Sequence, residues 1–181
     1  MPKTIKDMDA RIMKAGAALF GSQGYHNVEM KMIAKECDVA VGTLYNYYQS
    51  KWDVFSRVLR LFWRDLLQEM RESSHQENSL EACIRLLDER LKGRQSLAAI
   101  FYSVDCLDAL QQREVADLRD NVVKDLAELI TPHLNPQSVQ GFEEPALRVA
   151  SMLLLMLSHM EEHFDNNSAF LLLSLKNAFI S

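Results

Sequence analysis

Apolar residues between positions 28 and 51 recur at helical spacing in two short, adjacent runs. The first run places three residues on one face of a helix: Met30, Ile33 and Ala34. After a break at Asp38, the second run begins a new apolar face: Val41, Leu44, Tyr45 and Tyr48. Isolated helices shorter than about 12–15 residues are marginal in water, so these two must pack on each other and on a third helix. The pattern predicts a helix-turn-helix, whose second helix enters the major groove of DNA.

The same periodicity predicts helices on both sides of this segment. The first helix begins near Thr4 and ends at Gly21 and Gly24. Ser50 caps a helix over about residues 51–72, and the polar run 72–79 predicts a loop. Further helices are predicted at about 79–92, 96–110, 113–131, 145–164 and 168–180. About nine helices and no convincing strand predict an all-α fold, with a three-helix DNA-binding domain at 1–50 and a helical ligand-binding and dimerisation domain at 51–181.

Composition supports a folded chain inside the cell. Hydrophobic residues make up 48% of the sequence, which excludes disorder, and six Gly and four Pro argue against an all-β fold. No stretch reaches the roughly 18 uninterrupted apolar residues of a membrane span, and the first residues lack a signal-peptide apolar core. The three cysteines form no CxxC motif and indicate reduced thiols. We therefore expect a cytoplasmic protein without a membrane partner.

The formal net charge of −5 argues against a nucleic-acid partner until its distribution is considered. Residues 1–60 carry nine Lys and Arg against six Asp and Glu, whereas residues 61–181 carry eleven against nineteen. The basic excess therefore lies on the segment that contains the predicted DNA-binding motif.

Several motifs in the first third of the chain match one known family in order and spacing. They are Ala17-Ala18-x-Phe20, Gly24-Tyr25, Ile33-Ala34-Lys35, Val39, Gly42-Thr43-Leu44-Tyr45-x-Tyr47-Tyr48 and Ser50-Lys51. Residues 9–55 thereby resemble the DNA-binding domain of TetR-family transcriptional regulators. Ala40 stands where that family commonly has a serine that caps the second helix. Beyond residue 55, only the helical character and the size are similar.

The second helix of the motif supplies the candidate DNA contacts. Gly42 has no side chain and lets the helix start approach the duplex, and Asn46 suits an adenine edge. The resemblance implies phosphate contacts by Tyr45, Tyr47 and Lys51, and contacts near bases or backbone by Thr43 and Lys31. Core packing is the alternative for Tyr45 and the favoured role of Tyr48. The expected partner is double-stranded operator DNA.

The last two predicted helices carry more apolar surface than the exterior of a small monomer usually exposes. They either lie in the centre of the protomer or, as we favour, pair with a second copy in a four-helix bundle. The resemblance implies the same homodimer interface. The predicted interface residues are Leu153, Leu157, Met160, Phe164, Leu172, Leu175 and Phe179.

The resemblance also implies a ligand-binding body. The predicted pocket lining is rich in Met and aromatic residues: Phe101, Tyr102, Cys106, Leu126, Met152, Met156 and His159. Ordinary core packing is the alternative for each of them. A lining of this kind favours a small hydrophobic or aromatic ligand, while a cation held by aromatic faces and a buried Asp105 is the competing possibility.

One short motif suggests a different class of function. Residues 159–163 match the H-x-x-E-H pattern of zinc proteases, so a hydrolase using His159, Glu162 and His163 is the alternative. A catalytic zinc needs a third protein ligand, and only Asp165 follows. A helical interaction module that does not bind DNA is a second alternative. We predict no enzyme, no metal and no cofactor, but a ligand-responsive DNA-binding regulator that most simply acts as a repressor.

Overall fold

The computed structural model describes residues 5–77 and 80–159, together with positions 170, 173 and 174. Over these residues the chain forms eight α-helices and one 3-10 turn, with no strand. The helices are α1 (Ile5–Asn27), α2 (Met30–Glu36), α3 (Val41–Tyr45), α4 (Lys51–Glu77), α5 (Leu80–Leu91), α6 (Ser96–Ala99), α7 (Ala109–Ile130) and α8 (Pro145–Ser158), and the 3-10 turn spans Thr131–His133. The predicted all-α class is confirmed. The predicted last helix, 168–180, lies almost entirely outside the described residues.

Helices α1, α2 and α3 form a unit that we call the head. Ile12 and Phe20 of α1, Ile33 of α2 and Leu44 of α3 are buried in its core. Gly24 adopts φ +76° and ψ 166°, which a residue with a side chain rarely adopts, and it interrupts α1 near the predicted point.

Helix α4 joins the head to the remaining helices, α5–α8, which we call the body. A Cβ atom on Gly16 of α1 would lie 2.9 Å from Cγ2 of Val58, so α1 and α4 pack closely there. The loop predicted at 72–79 is wrong over 72–77, because α4 continues to Glu77. The segment contains neither Gly nor Pro, and its polar residues differ from good helix formers by only a few tenths of a kcal/mol each. The boundary at residue 50 between two domains stays a prediction.

The single helix predicted at 96–110 is also wrong. Helix α6 ends at Ala99, turns occupy most of 100–108, and α7 begins at Ala109. Asp108 causes the new start, since its Oδ1 accepts hydrogen bonds of 2.9 Å from the amides of Leu110 and Gln111. Oε1 of Gln111 accepts in return from the amide of Asp108 at 3.2 Å. This Asp-x-x-Gln capping box is visible in the sequence as a helix start.

The body buries one face of each of its helices in a shared core. Trp63 of α4 stacks on Phe101, with ring centroids 5.4 Å apart, and its Nε1 donates to the carbonyl of Leu97 at 3.2 Å. Helices α7 and α8 pack on each other through buried residues that include Val122, Leu126, Leu153 and Leu154. Within the described part of the chain, no helix is both long and apolar enough to cross a membrane.

Candidate nucleic-acid interface

A left-handed residue makes the turn between α2 and α3. The amide of Cys37 donates to the carbonyl of Ile33 at 3.0 Å, and the amide of Val39 donates to Ala34 at 3.0 Å. Between them, Asp38 adopts φ +50°, a conformation that aspartate tolerates better than most residues do. Arg11 of α1 donates from Nη2 to the carbonyl of Cys37 and so ties this turn to α1. The sequence analysis did not predict this contact, because Arg11 lies 26 residues before Cys37.

Helix α3 has one face in the core and one in solvent. Leu44 is buried and Tyr45 is 49% exposed; directly after the helix, Asn46 is exposed and Tyr48 is buried. Gly42 is exposed as well, and a Cβ atom added to it would meet nothing within 4 Å. Val41 is also 37% exposed, so the outward face is a small surface of mixed polarity that another molecule can approach closely at Gly42.

Tyr48 anchors the end of this recognition segment to α1 and α4. Its hydroxyl donates to Oδ1 of Asp9, and Arg57 donates from Nη2 to Oδ2 of the same carboxylate at 2.9 Å. Burial, followed by the hydrogen bond to Asp9, raises the pKa of Tyr48 well above its ordinary value. The phenol consequently stays protonated and keeps donating over the whole physiological pH range.

Lys51, which was expected to contact phosphate, lies against the end of α1. Its Nζ donates to the carbonyl of Tyr25 at 2.9 Å and sits 4.3 Å from the centroid of the Tyr25 ring. Trp52 meets the same ring edge-on at a centroid distance of 5.8 Å, and Phe55 lies 4.8 Å from it. Lys51 thus helps to hold the head on α4, a role that its place after the motif did not indicate.

The other predicted DNA contacts divide by exposure. Lys31 is exposed and forms an ion pair of 2.8 Å with Glu29. Thr43 is half-buried, and Tyr47 is half-buried with its ring packed against the core. The residues that the structure presents together on one outward surface are Gly42, Tyr45 and Asn46.

The structure does not bring the seven predicted pocket residues together. Tyr102 and His159 approach each other, with ring centroids 6.1 Å apart. Phe101 and Leu126 are fully packed in the core, while Met152 and Met156 lie on the solvent face of α8. Cys106 is exposed in the turn before α7, and Asp105 is exposed rather than the buried acid that a cation site would require.

Leu153 and Leu157, two of the predicted dimer contacts, are each only 1% exposed and pack inside the protomer. The apolar residues of α8 that face solvent are Met152, Leu155 and Met156, at 51%, 43% and 38% exposure. Phe170 and Leu173 are exposed as well. The remaining predicted interface residues lie outside the described part of the chain: Met160, Phe164, Leu172, Leu175 and Phe179.

Comparisons with known proteins agree with the geometry of the head. Residues 12–58 match the family of bacterial regulatory proteins called the tetR family. The chain is 24% identical over 155 residues to the HTH-type transcriptional regulator UidR of Escherichia coli K12, covering 82% of this chain and 76% of that protein. It is 30% identical over 125 residues to the HTH-type transcriptional repressor KstR of Rhodococcus jostii, covering 65% and 58%.

The fold comparison extends this similarity to nearly the whole chain. A transcriptional regulator from Saccharomonospora viridis, solved in complex with choline, superposes with a TM-score of 0.72 at 18% identity, covering 97% of this chain and 99% of that one. The fold and the head together define a helix-turn-helix transcriptional regulator. Within that class, residues 12–58 of this chain match the tetR family.

These matches bear on the hydrolase alternative. The matched family consists of bacterial regulatory proteins, and UidR is named a transcriptional regulator. Of the residues in the H-x-x-E-H pattern, His159 is described, with Nδ1 2.8 Å from Oγ of Ser158 and 3.0 Å from the carbonyl of Leu155. Glu162 and His163 lie outside the described residues. Within those residues, no group of three or more potential ligands is arranged to hold a metal ion.

Proposed function

We propose that this protein is a dimeric, ligand-responsive regulator that binds operator DNA and acts as a repressor until a small molecule releases it. One observation carries the DNA-binding part: α3 and the residues directly after it present Gly42, Tyr45 and Asn46 outward, while Leu44 and Tyr48 lie in the core. A recognition helix needs this division, because its position on the duplex is set by the packing behind it.

The dimer follows from the size of α3. A helix of five residues reaches few base edges, and two copies that read half-sites about one helical turn apart multiply that limited specificity. The exposed apolar residues Met152, Leu155 and Met156 are spaced along one face of α8 and supply a surface that a second copy would cover. Leu153 and Leu157 are no longer part of this proposed interface.

Repression and ligand binding are supported by what similar proteins are named to do. KstR of Rhodococcus jostii is named a transcriptional repressor, and the Saccharomonospora viridis regulator was solved with choline. For this chain we retain Tyr102 and His159 as candidates to line a ligand pocket, because they are the pair of predicted residues whose side chains approach each other. A small hydrophobic or aromatic ligand remains our proposal, with a cation as the competing class.

Selection from a randomised pool of double-stranded DNA tests the proposal. We expect an enriched sequence with two related half-sites. Asn46→Ala should relax the preference at one base position of each half-site, by about 1–3 kcal/mol if Asn46 makes a bidentate contact. Tyr45→Ala should weaken binding to all sequences alike, because a phosphate contact carries no sequence information.

Asn121→Ala provides a matched control, since Asn121 is exposed on α7 of the body. It should leave both affinity and preference unchanged. An unchanged preference in Asn46→Ala would contradict base reading by Asn46, and the absence of any enriched sequence would contradict DNA binding and favour the helical interaction module.

A further inference from the structure

A groove lies between the head and the body, separate from the DNA-facing surface and from the Tyr102–His159 pair. We call it the junction groove. Its volume is about 240 Å³. It is lined by residues of α1, α4 and α5 and of the turn after α5: Met13, Ala17, Val58, Leu61, Phe62, Asp65, Arg90 and Arg94.

The charges around this groove do not cancel. Arg90 donates from Nη2 to Glu69, and Asp65 is paired with Arg64 at 2.7 Å. Arg94 donates from Nη1 to the carbonyl of Arg90 at 3.3 Å, and among the described residues it has no carboxylate partner. The junction groove thus has an apolar floor and one guanidinium, that of Arg94, which no carboxylate of the described residues neutralises.

Arg94 is held in place from the side of the head. A Cβ atom on Gly21 of α1 would lie 2.9 Å from Cγ of Arg94 and 3.1 Å from its Cβ, so the arginine stem packs directly on the helix backbone. On the main chain, the amide of Arg94 donates to the carbonyl of Leu91 at 2.7 Å, following Gly93 at φ +69°. A positioned guanidinium loses less entropy on binding a ligand than a free one does.

We infer that the junction groove binds a small amphipathic carboxylate. Its carboxylate accepts hydrogen bonds from the Arg94 guanidinium, which can offer two parallel N–H groups. Its apolar part lies on the floor formed by Met13, Leu61 and Phe62. A volume of about 240 Å³ is below the roughly 300–1,000 Å³ of sites for drug-sized ligands, so the ligand is a short acyl or single-ring acid.

Such a ligand would contact the head and the body at once. Met13 belongs to the head, while Arg94 lies in the turn after α5 of the body. Occupation of the groove therefore favours whichever relative placement of head and body leaves room for the ligand. The binding step itself does not rest on the proposed operator binding, so the two can fail separately.

Titration calorimetry with octanoate and its neutral analogue octanamide tests the inference in the absence of DNA. Octanoate should bind the unaltered protein at one site, and octanamide should bind at least about tenfold more weakly, the scale expected for losing a charge-assisted hydrogen bond. Arg94→Met should weaken octanoate binding by a similar factor and leave octanamide unaffected. Arg94→Lys, which keeps the charge but not the fork, should fall between the two.

Arg113→Met is the control, because Arg113 is an exposed arginine on α7, outside the groove. Thermal melting of each variant verifies that it is folded. Equal binding of octanoate and octanamide, an equal loss in Arg113→Met, or no saturable octanoate binding at millimolar concentration would each overturn the inference. If Arg94→Met failed to fold, the comparison of octanoate with octanamide and the Arg94→Lys variant would still decide the matter.

Discussion

Among single residues, Asp9 connects the segment after the recognition helix to α4, and none of the sequence motifs includes it. One of its carboxylate oxygens accepts from Tyr48 after the recognition helix and the other from Arg57 of α4. Three segments of the chain therefore meet at one side chain. Sequence reasoning favoured packing for Tyr48, which is confirmed by its burial. The partner could not be found in the same way, because Asp9 is 39 residues away and helical periodicity relates only near neighbours.

The Tyr48–Asp9 hydrogen bond can be measured by a conservative change. Tyr48→Phe keeps the buried ring and removes the hydroxyl, so we expect the free energy of unfolding to fall by about 0.5–1.5 kcal/mol in urea denaturation. Tyr45→Phe is the matched control, since Tyr45 is exposed and makes no such bond among the described residues. Equal stability of the two variants would show that the hydroxyl contributes nothing.

The same bond has a predictable pH dependence. The pKa of Tyr48 is raised in the folded protein relative to its ordinary value of 10.0, so folding favours the protonated phenol. The stabilisation is complete below pH 10 and is lost as the pH rises further, towards the raised pKa. The difference in stability between the unaltered protein and Tyr48→Phe should accordingly be constant at neutral pH and shrink only in strongly alkaline solution.

At the scale of whole elements, the sequence identified most helices and misjudged some of their ends and faces. Helices with a clear apolar stripe, such as α4 and α7, were found because one side of each is polar. Helix α8 is apolar nearly all round, so its periodicity could not tell Leu153, which faces inward, from Met152, which faces outward. The head was recognisable because its turn and recognition helix have a fixed spacing, whereas a pocket depends on contacts between distant helices.

The two faces of α8 should respond differently to substitution. Leu155→Glu places a charge on the exposed stripe, and we expect it to split the dimer and weaken operator binding while the protomer stays folded. Leu153→Ala instead leaves a cavity in the core and should lower the free energy of unfolding by about 2–5 kcal/mol. Light scattering and urea denaturation of both variants separate these effects.

Leu110→Glu controls for a charge placed on any exposed leucine, because Leu110 is exposed at the start of α7, away from the stripe. This variant should remain a dimer. A Leu155→Glu protein that also remained a dimer would move the interface elsewhere.

At the scale of the whole molecule, α4 connects the head, for which we propose DNA binding, to the body, for which we propose ligand binding. Its first half packs on α1 of the head, and Arg60 and Arg71 pair with Glu114 and Asp125 of α7 at 3.1 and 2.8 Å. These pairs are partly exposed and each contributes at most about 1 kcal/mol. The head and the body are therefore held together mainly by the unbroken α4 helix and by the packing of its buried apolar face.

Coupling through α4 must be reciprocal. We expect any ligand that releases operator DNA to bind the free protein more tightly than the DNA-bound protein, by the same factor by which it weakens DNA binding. A coupling of about 1–3 kcal/mol is typical. Titrations of neutral aromatic and cationic compounds, with and without operator, measure both factors. Unequal factors would contradict a single coupled equilibrium, and release by cations alone would overturn our choice of ligand class.

The placement of the aromatic rings near Lys51 gives the protein an optical reporter of its own. The chain has only two tryptophans. Trp63 of α4 is buried. Trp52 is partly exposed, and its ring lies edge-on to that of Tyr25 where the head meets α4. In Trp63→Phe, the fluorescence spectrum would report on Trp52 alone. Movement of the head would then appear as a change in emission wavelength or quenching, without any attached dye.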